Sequence, residues 1–101
     1  MVLAVEIDLE RIAQACQRYR VKRLRIFGSI LTERFDEAHS DVDFLVDFLP
    51  DKMDRFDNYF GLLGALEDIT GRKVDLLTTE SLENPFLTNS ILSTAQVIYE
   101  L

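Results

Sequence analysis

Apolar and polar positions along this chain change period several times, and each change marks an element. Over residues 8–19, Leu9, Ile12, Ala13, Cys16 and Tyr19 recur at helical spacing behind Asp8, a residue suited to cap a helix. Residues 21–27, VKRLRIF, alternate as a strand does and stop at Gly28. The stretch SILTERF at 29–35 predicts a short helix opening directly after that glycine, and DEAHS at 36–40 a polar loop. Residues 41–48 predict a second strand, with Val42, Phe44, Val46 and Phe48 on one face and Asp41, Asp43, Leu45 and Asp47 on the other; Pro50 and Asp51 end it. A long helix over 54–70 carries Phe56, Tyr59, Phe60, Leu63, Leu66 and Ile69 on an apolar stripe and closes at Gly71. KVDLL at 73–77 predicts a third strand and Thr79 to Leu82 a turn. Asn84-Pro85 opens a helix running to about Ala95, and QVIYE at 96–100 predicts a fourth strand. This alternation implies one α/β domain over 1–101: a mixed sheet, with 21–27, 41–48 and 73–77 as its central strands and helices mainly on one face.

Composition narrows the class. With 101 residues, 48% hydrophobic and 29% charged, the chain fits one folded domain and excludes wholesale disorder. Its one cysteine, Cys16, excludes an intrachain disulfide and a cysteine-based zinc site. No run approaches the ~18 apolar residues of a membrane span. The opening MVLAVEIDLE lacks a basic segment and meets acids at Glu6 and Asp8, so it does not read as a signal peptide, and a reducing, cytoplasmic setting is expected. The net charge of -7 is uneven: residues 1–35 hold seven basic against four acidic side chains, residues 36–101 four against fourteen. A nucleic-acid binder needs a basic stripe, and only residues 18–25 offer one, which argues against direct nucleic-acid binding. The acidic excess serves solubility or gathers around a cation.

The stretch that carries chemistry is Phe27-Gly28-Ser29 followed, eleven residues on, by Asp41-Val42-Asp43. A strand that ends in Gly-Ser and opens into a helix turns backbone N–H groups outward toward an anion, although a Gly-Ser turn alone is as readily a simple helix cap. Asp41 and Asp43, two apart on a strand, present both carboxylates to one side, ~6.5 Å apart. Like charges on one sheet face are unfavourable unless a cation lies between them; otherwise the pair is a solvated strand face. Asp75 sits inside the apolar run Val74-Asp75-Leu76-Leu77, where an acid is costly unless it pairs or ligates. Its alternatives are a metal or an ion pair with Arg72, Lys73 or Arg25. If its strand lies beside 41–48, three carboxylates converge, enough to hold two divalent cations for phosphoryl or nucleotidyl transfer. His39, the only histidine, reads as loop surface, and the three tyrosines as core or rim.

These motifs in this order resemble the DNA polymerase beta-like nucleotidyltransferase superfamily. More narrowly, nearly the whole chain is similar to the minimal nucleotidyltransferases (MNT), the antitoxin partners of HEPN-domain ribonucleases. The resemblance implies a small nucleotidyltransferase fold. It implies that Gly28 and Ser29 bind the nucleotide's phosphates, that Asp41, Asp43 and Asp75 hold Mg²⁺ or Mn²⁺, and that Asp75 also accepts the nucleophile's proton. It further implies transfer of AMP from ATP to a hydroxyl, a tyrosine of the HEPN toxin, within a hetero-oligomer. The alternative is an antitoxin that neutralises by binding alone. The spacing between Ser29 and Asp41 is one residue longer than the family commonly has, with the insertion at Ala38 or His39. So short a chain is expected to take its acceptor site from a partner, for which Arg18 to Arg25 and the helix 54–70 are the candidate docking features.

Overall fold

The structure is a computed structural model that describes residues 2–50 and 54–101. Helix α1 (Leu9–Arg18) starts where expected: the Asp8 carboxylate accepts from the Arg11 N–H at 3.1 Å. Strand β1 (Val21–Phe27) runs antiparallel to both β2 (Val42–Phe48) and β4 (Gln96–Glu100), while β3 (Val74–Thr78) lies parallel to β2. The order β3-β2-β1-β4 makes a mixed sheet, as anticipated, with one correction. The third strand is an edge, not a central strand; β1 and β2 form the middle. Helix α2 (Arg55–Thr70) closes at Gly71, whose φ of +65° lets its N–H turn back to the Glu67 carbonyl at 2.9 Å. Helix α3 (Pro85–Thr94) is capped by the Asn84 side chain, which accepts from Phe86 and Leu87 N–H groups. The strand stop expected at Asp51 lies outside the described residues.

The core is built on one face of the sheet. Ile12 and Cys16 of α1 and Leu62 and Leu66 of α2 meet Leu24, Ile26, Val42, Phe44 and Val46, all essentially without solvent exposure. Fully burying each such side chain contributes ~1.5–3 kcal/mol. Two helices thus lie on the face that the alternation marked apolar, leaving the aspartate face of β2 for other work. Burial in such surroundings pushes the Cys16 thiol up to about 12, so it serves as a small apolar filler.

The segment after β1 is shorter than expected. Instead of a helix over 29–35, a single 3₁₀ turn spans Gly28–Leu31 and ends as the Thr32 N–H and hydroxyl both donate to the Ser29 carbonyl. The physical reason is local: the β-branched Thr32 prefers this backbone bond, and its backbone is extended (φ -129°). No helix dipole of useful length therefore stands behind Ser29.

Candidate active site

Asp43 is the centre of the site. It projects from β2 directly beside Asp75 of β3, its register partner in the parallel ladder. Burial raises the Asp43 carboxyl pKa, the Asp75 charge raises it further, and the Asp41 charge adds to both, bringing it to about 6. Asp43 is thus close enough to feel both of the carboxylates expected to act with it. Asp43 and Asp41 are half-buried and Asp75 is exposed. That last placement corrects the expectation for Asp75: on an edge strand its carboxylate reaches water, so burial does not force it to pair. Arg72 is engaged elsewhere, and Arg25 is bonded to another acid.

Gly28 fits against Asp43 so closely that a Cβ at position 28 would land on the Asp43 carboxylate, and its φ of +85° disfavours any other residue as well. This contact ties the Gly-Ser turn to the aspartates. Ser29 follows in the 3₁₀ turn, whose leading N–H groups have no helical partner. Gly28 and Ser29 also line an open cavity of about 930 Å³, together with Thr32, Arg34, Ser90, Thr94 and Gln96. The sequence reading missed this second wall. Its signal was present as the polar side of α3, SxxxT at 90–94, but only the tertiary fold carries α3 opposite the Gly-Ser turn. None of the three aspartates lines the cavity; Asp43 touches Gly28, which does.

The fourth acid on that face, Asp47, is already committed. It accepts from Arg25 Nη1 at 3.3 Å and from the Thr79 hydroxyl. Arg25 is therefore a structural partner between β1 and β2. The loop between the 3₁₀ turn and β2 is organised by one residue, Asp36. Asp36 accepts from Ala38 and His39, its carbonyl accepts from Ser40, and its own N–H donates to the Ser40 hydroxyl. The loop is held by Arg72, which donates to the Glu37 carbonyl and stacks 5.2 Å from the Phe35 ring. The loop 36–40 is folded into a self-satisfied turn, and Asp41 lies immediately before β2. His39 points into solvent and bonds only to Asp36, as a surface residue would.

A chain of hard oxygen donors suits Mg²⁺ or Mn²⁺ rather than a soft metal, and the mutual repulsion felt at Asp43 is what a cation would relieve. Among the described residues no three acidic, histidine or cysteine side chains are already drawn into a closed metal cage. The arrangement supplies adjacent ligands that a cation would have to draw together.

Comparison with known proteins places this geometry. The family model for the nucleotidyltransferase domain matches residues 9–98, and the chain belongs to that family. Within it, the fold and the enzyme class are those of the minimal nucleotidyltransferases. The chain is 39% identical over 74 residues, 73% of either length, to a Methanocaldococcus jannaschii protein named "Putative protein adenylyltransferase MJ1379". It superimposes with a TM-score of 0.72 on a solved "putative minimal nucleotidyltransferase", at 31% identity over 87% of this chain and 86% of that one. It shares its fold, at 17% identity and a TM-score of 0.62, with a chain of the tri-AMPylated Shewanella oneidensis HEPN toxin in complex with MNT antitoxin, covering 92% of this chain and 70% of that one. Among the described residues no helix is long and apolar enough to cross a membrane.

Proposed function

We propose that this chain transfers AMP from ATP to a hydroxyl of a separate protein, and that the acceptor is a tyrosine of a HEPN-domain ribonuclease toxin, which the modification silences. The observation that carries the reading is the contact between the Gly28 backbone and the Asp43 carboxylate, with Asp41 and Asp75 alongside. It supports a reading in which the outward N–H groups of the Gly-Ser turn meet a phosphate beside the Asp43 carboxylate. The relatives' names supply the protein acceptor, and the toxin complex of the same fold supplies the partner class.

In this reading the triphosphate lies along the Gly28-Ser29 turn, held by backbone N–H groups and the Ser29 hydroxyl, with the nucleoside in the adjoining cavity. Arg34 at the cavity wall is the cation placed to meet a phosphate. Asp41, Asp43 and Asp75 are the residues that would hold Mg²⁺ or Mn²⁺. A bound divalent cation supplies positive charge against the α-phosphate and the leaving pyrophosphate. Asp75, the exposed acid, faces the side from which an acceptor arrives and takes the proton of the attacking hydroxyl. The hydroxyl oxygen forms a bond to the α-phosphorus as the bond to pyrophosphate breaks.

Co-expression with a HEPN-domain toxin, followed by intact mass, tests the proposal. Wild type should add ~329 Da per AMP to the toxin, and Asp41→Ala with Asp43→Ala should bind it unmodified. If that double variant protects cells as well as wild type at matched expression, with no mass change on the toxin, neutralisation is by binding alone.

A further inference from the structure

The apolar stripe of α2 is only partly core. Leu62 and Leu66 are buried, but Phe56 is 73% and Phe60 51% exposed. Their rings pack on each other at 4.7 Å, and Tyr59 meets Phe60 edge-on at 5.1 Å. With Phe48 they line a groove of about 530 Å³ whose rim is Arg55 and Glu80. The groove reaches β3, the edge strand that carries Asp75, through Thr78. The Tyr59 hydroxyl donates to the Leu76 carbonyl at 2.5 Å, and Leu76 is the residue after Asp75. The Asp75 charge is felt at Tyr59, adding to burial in holding its phenol above the ordinary value. Around the rings, Asp54, Asp57, Asp75 and Glu80 are exposed acids. Arg55 is the one cation at the groove among the described residues, and it is spent: it bonds both Glu80 oxygens at 3.4 Å and lies 5.4 Å from the Phe48 ring. Its Nε is nevertheless buried without a partner, so the rim is not fully satisfied by the chain alone.

We propose that this groove docks an amphipathic, basic helix of the acceptor protein and delivers the acceptor hydroxyl to Asp75. The inference rests on the adenylyltransferase reading above and adds to it the surface and the chemistry of its partner. Phe56, Tyr59 and Phe60 stand at i, i+3 and i+4, the spacing by which one helix receives another. Exposed aromatics of this size, clustered beside a site, are where binding energy concentrates. The exposed carboxylates Asp54, Asp57 and Asp75 outnumber the one cation there and favour lysine and arginine on the incoming helix. Its polypeptide backbone has no open ladder to join at Leu76, because Tyr59 already occupies that carbonyl. The rival surface, Arg18 to Arg25, is not a patch. Strand alternation splits it, Arg18 lies over the Tyr19 ring, Arg23 is paired with Glu100 and Arg25 with Asp47.

The test uses the full chain and a HEPN-domain toxin that it modifies or binds in co-expression. Phe56→Ser with Phe60→Ser should weaken toxin binding at least tenfold by calorimetry and raise the KM for toxin by the same factor. The affinity for ATP, the slow pyrophosphate release without acceptor, and the kcat at saturating toxin should stay as in wild type. Asp57→Lys, on the exposed first turn of α2, should weaken binding about threefold and flatten its salt dependence. Arg11→Glu, on α1, should change neither. If the Phe56/Phe60 variant binds the toxin as wild type does, the groove is not the docking site, although AMP transfer by wild type still supports the enzyme reading. If wild type binds without transferring AMP while the variant fails to bind, the docking surface stands and the adenylyltransferase reading falls. If wild type neither modifies nor binds a HEPN-domain toxin in co-expression, both fall.

Discussion

Asp43 concentrates the electrostatic cost of the site in one side chain. Its carboxyl is lifted to about 6 in the folded protein, above the ~4 of an unfolded chain. Between those values the folded state binds the proton more tightly, so stability falls as pH rises through about 4 to 6, and the full penalty remains above that window. Asp43→Asn removes it. In chelator-containing buffer the variant should melt higher than wild type at pH 7.5 and at the same temperature below pH 4. A Tm difference that persists unchanged at acid pH would show that the gain comes from packing rather than charge. The same variant should lose transfer activity, since stability and function oppose each other at this residue. Gly28→Ala makes the complementary case. The added Cβ meets the Asp43 carboxylate, and alanine at φ +85° is itself unfavourable. A loss of ~1–3 kcal/mol in urea unfolding is expected, together with activity lost more severely than stability.

At the scale of elements, most boundaries were legible because local chemistry writes them. Asp8 and Asn84 cap α1 and α3 through their own side chains, and Gly71 closes α2. Asp8→Ala should cost ~1 kcal/mol, read as a Tm decrease of ~4–8 °C. The strands were legible because one face is buried, so apolar positions recur with period two, Leu45 being the buried exception on the aspartate face of β2. What failed needed knowledge of neighbours. The 29–35 segment has helix-compatible residues, but the Thr32–Ser29 bond ends it after one turn. The third strand looked central because Val74, Leu76 and Leu77 are apolar, yet only Val74 and Leu76 are buried and Asp75 faces outward at the edge. The three aspartates were legible as a set from period two and the isolated acid. The polar wall of α3 was not, because Ser90, Thr94 and Gln96 mean something only once the chain has brought them across from Gly28.

At the scale of the molecule, charge is segregated by role rather than spread for solubility. Two basic side chains of the first third are used in pairing across the sheet: Arg23 with Glu100 across β1 and β4, Arg25 with Asp47 across β1 and β2. Among the described residues, Asp41, Asp43 and Asp75 at the site have no cation paired with them. A triphosphate approaching Gly28 and Ser29 therefore meets a strongly negative region in which Arg34 is the one cation on the cavity wall among the described residues. One guanidinium cannot offset three carboxylates and a triphosphate, because repulsion between like charges in a partly buried site is weakly screened. ATP binding should accordingly depend on a divalent cation. Calorimetry should show at least tenfold tighter ATP binding with Mg²⁺ than with chelator, and Arg34→Ala should weaken the Mg²⁺-supported affinity severalfold. Asp41→Asn with Asp43→Asn should erase the dependence by removing the charges that cause it, leaving similar weak binding with and without cation. Equal ATP affinity in both buffers for the wild-type chain would mean that the aspartates do not face the triphosphate, and their proposed role in transfer would fail with it.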